Sequence, residues 1–77
     1  MTQRRHLHGI PVPYLRVWRF KRLLTQRELA EQAGVRQRTI CRAEKGQNST
    51  FATIKKLAIA LEISPERLLN VDPTAGA

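Results

Sequence analysis

Gln37, Arg38, Arg42 and Lys45 stand at positions i, i+1, i+5 and i+8. On a helix that spacing gathers an amide, two guanidiniums and an ammonium on one face. Planar amide and guanidinium donors grip paired acceptors, while an ammonium acts as a point charge for an anion. Such a face holds a polyanion; it does not break bonds. The parts that bond-breaking needs are missing from the 77-residue chain: it has no Ser, His and Asp set, no paired pocket carboxylates and no phosphate-cradling glycine loop. We therefore expect no enzyme and no cofactor. The single Cys41 excludes an internal disulfide and cannot by itself build a zinc site. His6 and His8 lie in a tail without further ligands and read as a solvated pair, so no metal is expected.

Charge is unevenly placed. Residues 1–45 hold eleven Lys and Arg against Glu28, Glu31 and Glu44, whereas Lys55, Lys56 and Arg67 balance Glu62, Glu66 and Asp72 in the remainder, so the whole net charge of +8 belongs to the first part. A surplus confined in this way selects a polyanionic partner, nucleic acid or an anionic membrane surface. No apolar run is long enough for a signal peptide or a membrane span, which gives the expectation of a cytoplasmic protein. An interfacial membrane peptide is disfavoured because the apolar stripes are interrupted by caps and turns that suit a packed bundle.

Those turns define the elements that must carry the basic face. Residues 1–13 contain two prolines and a glycine and show no helical period, so they read as a flexible basic arm bearing Arg4 and Arg5. From Tyr14, apolar Leu15, Trp18 and then Leu23 or Leu24 predict a first amphipathic helix. Thr25 followed three residues later by Glu28 is a capping box, which starts a second helix at Gln26 that runs to Ala33. Gly34 ends it in the left-handed conformation, and a third helix over about 37–44 buries Ile40 and Ala43. Thr50 caps a fourth helix with Phe51, Ile54, Leu57, Ala58 and Leu61 on one face. Ser64-Pro65 opens a fifth that ends near Leu69, and 70–77 read as a flexible tail. No strand-like alternation competes, so the expected class is all-α, a compact five-helix domain over 14–69.

The stretch from Gln26 to Lys45 has an internal logic: Ala30 is small where two helices cross, Gly34 makes the turn, and Leu29, Val35 and Ile40 lock the pair. An ordinary helical hairpin would use the same small residues, but it has no need of a face carrying Arg and Gln. The run TQRELAEQAGVRQRTICRAEKG, followed by a capped helix and LEISPERLL, resembles the phage-repressor and Cro-like helix-turn-helix proteins, the XRE family, over about residues 14–69. The resemblance implies a lambda-repressor-like DNA-binding domain whose third helix lies in the major groove of double-stranded DNA. It implies that Gln26 bonds a phosphate, and that Gln37, Arg38 and Arg42 face base edges, Gln suiting adenine and Arg suiting guanine. Lys45, Arg36 and Asn48 then fall to phosphates, and Arg4 and Arg5 become candidates for an adjacent minor groove. Arg19 aligns with the arginine that pairs with the glutamate closing the third helix, here Glu44, an architectural pair.

Three positions depart from the family pattern. Arg36 replaces the usual Ser or Thr cap of the third helix, leaving its start to fray or to be completed by a phosphate. Leu23 replaces a glycine and is expected to lengthen the first helix, and Ser49 replaces a proline and is expected to free the loop before the fourth. The function expected is a sequence-specific transcriptional regulator, a repressor, that forms a weak homodimer, on DNA if not before it, through Phe51, Ile59 or Leu69. The competing reading is an antitoxin or adaptor of the same fold whose main role is to bind a protein partner.

Overall fold

Thr25 and Glu28 exchange the two bonds of a capping box. The Glu28 N–H donates to Thr25 Oγ1 at 3.0 Å, and the Thr25 N–H donates to Glu28 Oε1 at 2.8 Å. Helix α2 (Gln26–Ala33) starts there, one of five helices in a computed structural model that describes residues 9–75. The others are α1 (Leu15–Lys21), α3 (Gln37–Glu44), α4 (Phe51–Leu61) and α5 (Pro65–Asn70). Thr50 and Ser64 cap α4 and α5 through their side-chain oxygens, with Pro65 in the first turn of α5. Among the described residues there is no strand, and the fold is all-α as expected. No helix among them is long and apolar enough to cross a membrane.

Gly34 takes φ 73°, and a Cβ placed on it would meet nothing within 4 Å. Its value is therefore conformational freedom and not close approach. The turn it makes brings α3 across α2, so that Ala30 and Ala33 face Ile40 and Ala43 in one core with Leu15, Trp18, Leu29, Ile54, Leu57, Ala58, Leu61 and Leu68. Full burial of an aliphatic side chain of this size stabilises a fold by about 1.5–3 kcal/mol.

Five expectations need correction. Leu23 does not lengthen α1. The helix stops at Lys21, and Leu23 itself adopts φ 58°, the conformation a glycine would supply. A local helix-end closure holds it there: the Leu24 N–H donates to the Arg19 carbonyl at 3.1 Å and the Leu23 N–H to the Phe20 carbonyl at 2.9 Å, while Arg19 Nη1 donates to the Leu24 carbonyl at 2.9 Å. Ser49 does not free its loop, because it is buried and exchanges two backbone bonds with Ile10 in an antiparallel bridge, of 2.8 and 3.2 Å.

That bridge shortens the expected arm. Ile10 is paired, Val12 is buried in the core, and Gly9 lies so close to Asn48 that a Cβ would come within 2.5 Å of Asn48 Nδ2. Residues 9–13 thus belong to the folded unit, while Arg4, Arg5, His6 and His8 lie outside the described residues. At the other end, Trp18 Nε1 donates to the Val71 carbonyl at 2.9 Å, and Asp72 closes a turn by accepting from the hydroxyl and N–H of Thr74. The first part of the expected tail is held to α1. The same two Thr74 bonds, the hydroxyl first, keep the Asp72 carboxyl below its ordinary pKa.

Phe51 is the fifth correction: it is 63% exposed and off the inner face of α4. Helical side chains lean over the turn N-terminal to them, and the first residue of a helix has no such turn beneath it.

Candidate nucleic-acid interface

The basic face sits where the spacing put it. Gln37, Arg38, Arg42 and Lys45 are exposed along α3, Cys41 is half-buried between them, and Ile40 and Ala43 point the other way into the core. Arg36, Arg38, Arg42 and Lys45 have no carboxylate partner among the described residues. Four positive charges left unpaired on one short element attract an anion, since nothing in the protein neutralises them. The first turn of α3 carries no acidic residue either, so the partial positive charge of its N-terminus also stays uncompensated.

The N-cap Arg36 is extended at φ −83° and ψ 149°, the backbone geometry of a good cap, but its side chain accepts no bond from the helix. A guanidinium has donors only and cannot do so.

Below this face lies the network that fixes α3. Arg19 donates from Nε to Glu44 Oε2 at 2.6 Å and from Nη2 to Oε1 at 3.0 Å, the bidentate fork of an arginine–carboxylate pair. Both side chains are nearly excluded from solvent, at 9% and 6% exposure, and the pair ties α1 to the end of α3. Gln26 joins it: its Nε2 donates to Glu44 Oε1 at 3.0 Å. The residue that resemblance directs to a phosphate is therefore also a brace. An amide nitrogen carries two protons, so the second donor stays available.

Two clefts flank α3. One, of about 260 Å³, is lined by Arg16, Arg19, Gln26, Cys41, Glu44 and Lys45. The other, of about 190 Å³, is lined by Thr39, Arg42, Gln47, Asn48, Ser49, Thr50 and Thr53. The candidate positioning residues thus separate: Gln26 and Lys45 share the first cleft, Asn48 opens into the second beside Arg42, and Arg36 stands alone at the start of α3. Sequence reasoning passed over Arg16, which looked like any charge interleaved along α1. The signal available was its place one turn before Phe20 on the same helical face.

A family model described as helix-turn-helix matches residues 15–68, from the first residue of α1 to the last buried residue of α5. The chain belongs to the helix-turn-helix family. Its type is that of the XRE, or Cro/C1, DNA-binding domains, as the resemblance implied. Among solved structures, this helix-turn-helix chain is similar to the restriction-modification controller protein C.AhdI from Aeromonas hydrophila, with 38% identity, a TM-score of 0.69, and coverage of 71% of this chain and 85% of that one. It is also similar to SinR of Bacillus subtilis, described as the master regulator for biofilm formation. In the complex of SinR with DNA, identity is 26% and the TM-score 0.68, over 73% of this chain and 92% of that one. In the SinR–SinI protein complex, identity is 25% and the TM-score 0.69, over 74% and 57%. No curated protein matches.

Proposed function

We propose that this helix-turn-helix protein is an operator-binding transcriptional repressor that lays α3 in the major groove, with Gln37, Arg38 and Arg42 reading base edges. The observation that carries the reading is the outward face of α3, three unpaired guanidiniums, an amide and an ammonium on a helix braced from below by the Arg19–Glu44–Gln26 network. Rigid support of this kind is what base reading needs, because a bidentate contact fails when its helix is free to tilt. Gln26, Arg36, Lys45 and Asn48 hold phosphates on either side. Arg4 and Arg5 reach an adjacent minor groove from the chain that precedes the Ile10–Ser49 bridge.

Selection from random duplex DNA gives the operator, and alanine substitution then tests the roles. Replacing Gln37, Arg38 or Arg42 should cost about 1–3 kcal/mol on the operator and relax preference at particular base pairs. Replacing Lys45 or Asn48 should weaken all sequences alike. Equal losses on every duplex for all five variants would refute the assignment of readers.

The protein acts as a weak homodimer that DNA strengthens. Phe51 and Ile59 are largely exposed and lie eight residues apart on α4, with Lys55 between them on the same side. Leu69, the third expected contributor, is half-buried against the core and contributes less. A two-fold pair would read half-sites about one helical turn, ~34 Å, apart. The likeness to SinR in its complex with SinI keeps a second reading in view, in which the same apolar residues take a different protein. A species that sediments as a monomer at every concentration, with and without operator, would favour it.

A further inference from the structure

Arg16 lines the 260 Å³ cleft from α1, outside the α2–α3 pair proposed to read DNA, and Phe20 follows it one helical turn on. Arg16 is exposed and has no carboxylate partner among the described residues. Its guanidinium carbon lies 5.2 Å from the centroid of the Phe20 ring, four residues on, and the Arg19 guanidinium carbon lies 4.8 Å from the same ring. Phe20 is 53% exposed, although the core has room for an aromatic at Trp18 on the same helix. Two guanidiniums close to one ring make cation–π contacts: such a contact restricts a side chain that would otherwise sample many rotamers, and it leaves the N–H edge of Arg16 free to bond elsewhere.

That edge borders a cleft with a surplus of positive charge. Arg16, Arg19 and Lys45 line it against Glu44 alone, and Glu44 is already taken up by Arg19 and Gln26. A single phosphodiester fits the chemistry: a compact anion whose oxygens accept in-plane guanidinium bonds, with an ammonium from Lys45 and the second amide proton of Gln26.

We infer that Arg16, held by its cation–π contact with Phe20, grips a backbone phosphate of the DNA in this cleft together with Lys45, so that α1 as well as α2 and α3 sets the angle at which the recognition helix docks. The inference rests on the DNA-binding reading above.

The test uses the full chain and the duplex selected by the wild type, with affinity measured across a salt series. Arg16→Ala should bind that duplex and a scrambled one about tenfold more weakly, as expected for loss of one charge-assisted contact, and its log–log salt slope should be shallower by about 0.9. Arg16→Lys should keep the slope and recover only part of the affinity. Phe20→Leu should lose affinity several-fold, and should cost nothing further in an Arg16→Ala background. Placing an uncharged methylphosphonate at the contacted position should erase the wild type's advantage over Arg16→Ala. Because Arg16 is exposed, thermal unfolding of the Arg16 variants should match wild type, which separates binding from folding. If Arg16→Ala retains affinity and slope while Arg38→Ala and Arg42→Ala lose binding, this inference falls and the DNA reading stands. If the wild type itself shows no salt-dependent binding to any duplex, the reading falls and takes the inference with it.

Discussion

Glu44 accepts from both Arg19 and Gln26, and those three residues join α1, α2 and α3 at one point. Removing one partner of such a buried pair strands the other charge without water. Arg19→Met should therefore destabilise the fold by about 3–5 kcal/mol in a denaturant melt, whereas replacing Arg19 and Glu44 together with apolar residues should cost far less. Leu23 argues the opposite direction. A leucine held at φ 58° is strained by roughly 1–2 kcal/mol, and at 89% exposure it recovers little by burial. Leu23→Gly should raise stability by about 0.5–1 kcal/mol once the greater freedom of glycine in the unfolded chain is subtracted. The pairing of Arg19 with Glu44 was legible through family resemblance. The third bond to Glu44, from Gln26, was not, because nothing in a sequence tells which way a glutamine on a helix's first turn will lean. Leu23 misled for a related reason. Local propensity favours continuing a helix through leucine, and the bonds between Arg19 and Leu24 that override it form only when the chain has turned.

Helix α3 is eight residues long and begins without a side-chain cap, so its first turn is the least secured part of the recognition element. Arg36→Ser should supply that cap and stabilise the free domain by about 1 kcal/mol, visible as a rise of roughly 4–8 °C in Tm for a domain of this size. It should also weaken DNA binding without changing sequence preference, since the guanidinium proposed to meet a phosphate is gone. An unchanged affinity would assign Arg36 to the solvated surface. The boundaries of α2, α3, α4 and α5 were readable because each is set within four residues, by Thr25 with Glu28, by Gly34, by Thr50 and by Ser64-Pro65. The bridge between Ile10 and Ser49 was not readable. Its two halves are far apart in the chain, neither has the alternation of a strand, and the pairing exists only because α1, α3 and α4 bring their ends together.

Across the whole molecule, the surplus of positive charge lies before residue 46, on Arg4, Arg5 and the part that forms α1 to α3, while the part that forms α4 and α5 is neutral and carries the exposed Phe51 and Ile59. On the proposed homodimer, Ile59→Asp should abolish the dimer in sedimentation and weaken operator binding, yet leave the affinity for an isolated half-site unchanged. A loss at the half-site as well would show that the substitution damages the fold. The C-terminal end of the fold has a spectroscopic consequence. The only tryptophan in the chain, Trp18, is 2% exposed, donates its indole N–H to the Val71 carbonyl and lies under the Arg67 guanidinium. Its fluorescence is therefore an internal gauge of whether the segment after α5 is seated against α1. Ending the chain at Asn70 should shift the emission to the red without unfolding the helices, and operator binding or dimer formation that disturbs this corner can be followed optically, with no label added.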